Sequence, residues 1–175
     1  EFIEYLKKSS GFKNIEVIEK VNNGEKSLSQ LYNEVLSESK TDIIVFCHDD
    51  IYFDTSNWAS KLVKQFERNS EFGILGMAGT TEMPKSGMWW EDRSKMYGIV
   101  EHMNEINEWV SEYSPKFVGV KPTVMIDGVF MSFAPDKIES GFNENYGKFH
   151  FYDISFCVDN YMEAVDVGVT TSIRV

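Results

Sequence analysis

The residues of this chain best suited to chemistry stand at the end of an apolar run, where Asp42-Ile43-Ile44-Val45-Phe46-Cys47 leads directly into His48-Asp49-Asp50. Hard carboxylate oxygens suit Mg2+ or Mn2+, and the neighbouring imidazole tilts the choice towards Mn2+. Adjacent carboxylates repel one another, which favours a place where a cation or solvent relieves the charge. Taken alone, the same tripeptide is also an ordinary capped turn, because Asp is common where a strand gives way to a loop. A second acidic position, Asp153, follows Phe149-His150-Phe151-Tyr152 at the expected start of a helix, where the helix dipole favours a carboxylate. Capping explains Asp153 equally well. Together, however, two acidic sites on different elements let one hold a metal while the other works as a general base. Asp127-Gly128 either bends a strand or lets a sugar or acceptor approach the backbone. Trp89 and Trp90 offer core packing or a flat aromatic platform for a sugar face. His102 and His150 read as packing residues.

The elements that must position these groups follow from periodicity. Short apolar runs alternate with helical spacing, the pattern of βαβ units. Residues 2–9 read as a helix closed near Gly11, and Ile15 to Ile18 alternates as a strand ending in the Asn22-Asn23-Gly24 turn. Ser27 is placed to cap a helix in which Leu28, Leu31, Tyr32, Val35 and Leu36 recur on one face. Strand 43–47 carries five consecutive apolar residues, as expected for a strand covered on both faces. Thr55 or Ser56 is expected to cap the next helix, which carries Trp58, Leu62, Val63 and Phe66. Phe72 to Gly79 reads as one buried strand, with glycines where another backbone or a ligand comes close. Residues 80–121 lose periodicity and read as an excursion of short strands or loop, a kind of segment that is more often functional than decorative. Val124 to Phe133 resumes strand character, a helix spans Tyr152 to Ala164, and residues 167–175 close as a strand.

Composition narrows the functional classes. A chain of 175 residues with 42% hydrophobic content can bury a substantial core as one domain, so disorder is a poor description. A net charge of −11 argues against broad attraction to nucleic acid or anionic lipid. Cys47 and Cys157 lie in apolar contexts without CxxC spacing, so they read as free core thiols rather than zinc ligands or a disulfide framework. No apolar stretch approaches the roughly 20 residues that span a bilayer, and the start does not look like a signal peptide. A cytoplasmic location is expected, with peripheral attachment at the inner face of the membrane left open. Nucleophile-elbow, phosphate-loop, dinucleotide-binding and HExxH patterns are all missing from the sequence, which sets aside the common phosphate-loop hydrolases.

In order along the chain, the segments Ser27-Leu28-Ser29-Gln30-Leu31-Tyr32-Asn33, Asp42 to Ile51, Gly76-Met77-Ala78-Gly79, Asp127-Gly128-Val129-Phe130 and Phe149 to Cys157 resemble the family 2 type glycosyltransferases of GT-A fold. Within that group they are similar to a bacterial glycosyltransferase-like branch, from about Ile15 onwards. The resemblance implies an α/β, GT-A (nucleotide-diphospho-sugar transferase-like) mixed, mainly parallel sheet flanked by helices. It also implies a single domain over residues 1–175 shortened at its amino end, where the family's first strand supports the nucleotide base. The carboxyl end invites the same expectation, since relatives often carry a further His beyond the last strand.

The family's strand-end Asp-x-Asp holds a divalent cation on the diphosphate of a nucleotide sugar. By position Asp50 matches the second Asp, and His48 stands where the first would be. The resemblance therefore implies Asp50 and His48 as ligands of Mn2+ or Mg2+, with Asp49, Asn22, Asn23 and Asn33 towards the nucleotide sugar. Asp127, Gly128 and Trp89 fall to the sugar or acceptor. Asp153 matches the family's catalytic base, although the usual preceding Glu is Tyr152 here. The implied reaction is inverting, metal-assisted direct displacement from a UDP- or GDP-sugar onto a glycan or lipid-linked acceptor, in surface polysaccharide or glycoconjugate synthesis. Two other classes remain in view. One is a non-catalytic GT-A-like module that binds carbohydrate or partners; the other is a metal-dependent nucleotidyltransferase or phosphohydrolase using the same carboxylates.

Overall fold

The strand that carries His48-Asp49-Asp50 lies at one edge of a five-stranded sheet. In the structure, a computed structural model that describes residues 2–104 and 106–175, the order of that sheet is β1-β8-β2-β9-β6. These strands are β1 (Ile44–Cys47), β2 (Phe72–Gly76), β6 (Lys121–Thr123), β8 (Phe130–Phe133) and β9 (Asp166–Val169). A second sheet, in the order β5-β4-β3-β7, contains β3 (Ala78–Thr80), β4 (Met96–Met103), β5 (Glu108–Glu112) and β7 (Met125–Ile126). The helices are α1 (Phe2–Ser10), α2 (Leu28–Glu38), α3 (Trp58–Arg68) and α4 (Tyr152–Met162).

The apolar pattern explains the layering. In β1, Ile44 and Phe46 turn to one side while Ile43, Val45 and Cys47 turn to the other, so both faces of the sheet are covered. The first face packs against α2 and α4 through Tyr32, Leu36, Phe156 and Cys157. The second packs against α1 and α3 through Leu6, Trp58, Leu62 and Phe66. Aromatic side chains fill much of the first core. Phe142 stacks on Phe156 at 4.1 Å between ring centroids, and Tyr32 stacks on Phe46 at 3.9 Å. Phe133 and Phe156 are wholly buried, and each contributes about 2 to 3 kcal/mol through removal of its ring from water.

The α/β architecture agrees with the sequence, but the mainly parallel sheet does not. Only β2 and β9 pair in parallel; β1–β8, β2–β8 and β6–β9 are antiparallel, and the second sheet is antiparallel throughout. β8 is inserted against the direction of its neighbours β1 and β2. Its residues are as buried as those of any parallel strand, because helices cover both faces whichever way the strand runs.

Several local expectations are also corrected. The run 72–79 is two strands that part at Met77, and the run 124–133 is two strands that part at Asp127-Gly128-Val129, so the chain passes from one sheet to the other within each run. The crossings lie side by side, with Asp127 N donating to Ala78 O at 2.9 Å. A side chain at Gly79 would collide with the carbonyl of Met125, which accounts for a glycine where two backbones meet. Ile15 to Ile18 forms no strand. Ile15 and Val17 do pack inward while Ile18 stays exposed, but alternation records one-sided burial, and a ladder also needs a neighbour. The segment 80–121, expected as an excursion, supplies the long β4–β5 hairpin.

Helix starts divide in the same way. Ser27 caps α2 through a full capping box, accepting from Gln30 N at 3.2 Å while its own N–H donates to Gln30 Oε1 at 2.9 Å. For α3 the cap position belongs to Asn57, in a left-handed conformation without a side-chain bond, rather than to Thr55 or Ser56. Thr55 instead accepts from Arg174 N at 2.9 Å, a long-range use of its hydroxyl that local spacing does not encode.

One buried amide ties α4 to the loop before it. Asn160 is wholly buried; its Oδ1 accepts from Glu139 N and Ser140 N, and its Nδ2 donates to Ser140 O and Phe156 O, all at 2.9–3.0 Å. The loop so held leads into Phe142 and its stack on Phe156. Asn160→Ala is expected to lower stability by about 2 to 3 kcal/mol, since buried partners lose their bonds together. Urea unfolding followed by tryptophan fluorescence checks this, with an unchanged midpoint counting against it.

Candidate functional site

Three chain segments converge at the carboxyl end of β1. The first is the His48-Asp49-Asp50 turn, exposed on all three residues and anchored where His48 N donates to Val129 O at 3.2 Å. The second is the Asp127-Gly128-Val129 break between β7 and β8, held in shape by Val129 N donating to Asp127 Oδ1 at 2.7 Å. The third is the start of α4, which brings in Tyr152 and Asp153 after Phe151 adopts a left-handed backbone at φ 63°.

Asp153 binds its surroundings through both oxygens. Oδ2 accepts from Gly128 N at 2.9 Å, and Oδ1 accepts from Ile154 N, also at 2.9 Å. One bond caps its own helix; the other fastens that helix to the strand break. Burial raises the carboxyl above the ordinary Asp range, helped by the nearby charge of Asp127 and opposed by the two backbone N–H groups. The result is a carboxylate more basic than an exposed one, held rigidly, with lone pairs to spare.

Two phenols flank it. Tyr152 is buried, and its hydroxyl lies 3.3 Å from His48 Nε2 and 3.4 Å from Gly128 O. Tyr32 approaches Tyr152 edge-on at 5.6 Å. Burial pushes the Tyr32 phenol up to about 12, assisted by Cys47, Asp153 and Asp49, and raises Tyr152 as well, with Tyr32, Asp153 and Asp127 contributing. Both phenols therefore keep their protons. Sequence reasoning took Tyr152 only as a departure from the usual Glu, and it passed over Tyr32 as a core residue. The available signal was a pair of aromatics with polar tips at otherwise apolar core positions.

The remaining expected residues lie elsewhere or serve the fold. Asn22 closes its own loop, donating from Nδ2 to Lys26 O at 2.9 Å and accepting Lys26 N at 3.2 Å. Asn23 is exposed. Asn33 pins the 142–144 segment to α2 by donating to Phe142 O and Glu144 Oε1 and accepting from Phe142 N, all within 2.8–2.9 Å. Shallow polar hollows beside Asn33 and Lys148 include none of the residues around Asp153. Trp89 is buried in the core against Tyr113, so the exposed indole of the pair is Trp90.

Among the described residues, no three His, Cys, Asp or Glu side chains gather as a ready-made metal cage. The donor set at the β1 turn nevertheless fits a hard cation of another kind. Asp49 and Asp50 are exposed oxygen donors on adjacent residues, as suits an ion that takes one or two carboxylates and draws its other ligands from phosphate and water. His48 fits less directly, because its Nε2 is turned to Tyr152.

Among known families, the model described as a glycosyltransferase-like family matches residues 1–173. No individual curated protein matches the chain.

The raised carboxyl of Asp153 carries a pH signature. A group whose folded pKa lies above its unfolded value stabilises the fold fully at low pH and loses that contribution as pH rises through the folded value. The stability of Asp153→Asn relative to the unsubstituted chain is therefore expected to climb from about pH 4, the ordinary Asp value, upward. Denaturation midpoints measured for both proteins across that range test it; a difference independent of pH would contradict the raised value.

Proposed function

The chain belongs to the glycosyltransferase-like family, and from that premise we propose that it transfers a sugar from a UDP- or GDP-sugar to a hydroxyl of a glycan or lipid-linked acceptor by direct, inverting displacement. The observation that carries this reading is the Asp153 carboxylate, made more basic by burial and fixed on Gly128 N beside an exposed, acidic strand-end turn. We assign proton removal from the acceptor hydroxyl to Asp153. The backbone bonds to both of its oxygens keep the carboxylate from turning, so the acceptor meets a preset base.

A protein of net charge −11 repels a diphosphate, so the donor side needs a cation. Asp50 and Asp49 would hold Mn2+ or Mg2+, which would offset charge on the leaving nucleoside diphosphate. Asp127 keeps its Oδ1 on Val129 N, and we assign its other oxygen to a sugar hydroxyl. Among the described residues, no helix is long and apolar enough to cross a membrane. Synthesis of a surface polysaccharide or glycoconjugate fits these substrates.

A second reading, a non-catalytic module that binds carbohydrate or partners without transfer, draws on His48, which stands where the family's first Asp would be and turns its Nε2 to Tyr152. Calorimetry against a panel of UDP- and GDP-sugars, with and without Mn2+, separates the two when combined with an assay for released nucleoside diphosphate. Asp50→Ala is expected to abolish Mn2+-dependent donor binding. Asp153→Asn is expected to leave binding within about twofold and to reduce transfer at least a hundredfold, the usual weight of general base catalysis. Binding without nucleoside diphosphate release would favour the module, and release of pyrophosphate or phosphate would point to a nucleotidyltransferase or phosphohydrolase.

A further inference from the structure

His48 and Tyr152 lie 104 residues apart in sequence, yet His48 Nε2 meets the Tyr152 hydroxyl at 3.3 Å. That hydroxyl has one proton and two neighbours. Gly128 O, at 3.4 Å, can only accept, so satisfying both contacts at once requires the Tyr152 proton on Gly128 O and a hydrogen from His48 Nε2 on the phenol oxygen. The backbone of Gly128 is then held on both sides of its Cα, its carbonyl by Tyr152 and its N–H by Asp153 Oδ2. His48 is held to the same strand break by its main chain as well, through Val129 O. Both hydroxyl contacts are long, as catalytic hydrogen bonds often are before substrate tightens them.

We infer that His48 and Tyr152 form a positioning pair that couples the donor-side turn at the end of β1 to the Asp153 carboxylate through the backbone of Gly128. The inference rests on the transfer reaction proposed above. Asp49 and Asp50 adjoin His48, so a donor that settles on them also sets the ring of His48. The ring sets Tyr152, Tyr152 sets the carbonyl of Gly128, and the N–H on the other side of the Gly128 Cα sets the oxygen of the base. Tyr152 is 7% exposed, which keeps water from replacing the middle of this chain of bonds. In this arrangement Nε2 of His48 serves Tyr152, and only Nδ1 remains for any ligand.

The test uses the full chain with the UDP- and GDP-sugar panel and Mn2+, together with nitrogen-15 NMR of the histidines. Tyr152→Phe is expected to lower kcat about tenfold with donor KM changed less than about twofold, since the interaction acts on base alignment rather than donor binding. His48→Ala should match that loss and the double variant should go no further, because the two residues act as a unit. His48→Gln, which keeps an N–H donor, should restore most of the rate. An unchanged kcat in Tyr152→Phe, a loss confined to KM, or additive losses in the double variant would overturn the pair. By NMR, His48 should carry its proton on Nε2 and should shift in Tyr152→Phe; a proton on Nδ1 would overturn the pair whether or not turnover is found. If the NMR signature holds while no sugar of the panel is turned over, the pair stands and the transferase reading falls.

Discussion

At residue 128 there is room for a hydrogen atom and for nothing larger. A Cβ there would run into the Tyr152 hydroxyl and come within 3.0 Å of Asp153 Oδ2, so the close approach of α4 to the strand break exists only because this residue is glycine. The consequences spread outward. With α4 seated against the break, Gly128 N reaches Asp153, and the Gly128 carbonyl comes within range of Tyr152. The break also marks where the chain leaves the second sheet at β7 and enters the five-stranded sheet at β8. A single residue thus joins the two sheets and the helix that carries the candidate base.

Electrostatics at this junction work by contrast. Asp153 is drawn into the protein and made more basic, whereas Asp49 and Asp50 stay in solvent. One kind of residue, placed in two environments, suits two tasks: proton removal where the carboxylate is partly buried and fixed, and charge balance where it is exposed and free to meet an ion. The phenols of Tyr32 and Tyr152 keep their protons because burial penalises the phenolate, so they can offer hydrogen bonds without adding charge to an acidic site.

The two places where the chain departs from the glycosyltransferase pattern it resembles, His48 and Tyr152, are the two whose side chains touch. A carboxylate at each position would set two like charges against each other at close range. An imidazole and a phenol form a hydrogen bond instead, so each departure is physically compatible with the other. The aromatic pair in the 80–121 segment is resolved differently, since Trp89 packs inside and leaves Trp90 as the indole a ligand can reach.

Much of this protein was legible before folding. The helix behind Ser27, the apolar strand ending in His48-Asp49-Asp50 and the helix beginning near Tyr152 all follow from local periodicity and capping, which depend on neighbours a few residues away. The family resemblance, borne out by the match over residues 1–173, likewise rests on short motifs kept in order. What local pattern could not contain was decided in three dimensions. The direction of β8 was hidden because double-sided burial looks alike in parallel and antiparallel strands. The splitting of two apolar runs between two sheets was hidden because an unbroken run of hydrophobic residues does not say which sheet each part joins. Asn22 and Asn33 serve loops and segments rather than the group around Asp153, and Tyr152 entered that group, through contacts spanning from 4 to more than 100 residues. Sequence alone therefore determined which residue types stand at the ends of which elements. Only the tertiary structure decided that Gly128, Asp153, Tyr152 and His48 share one place, because hydrogen bonds between distant segments exist only once packing has brought those segments together.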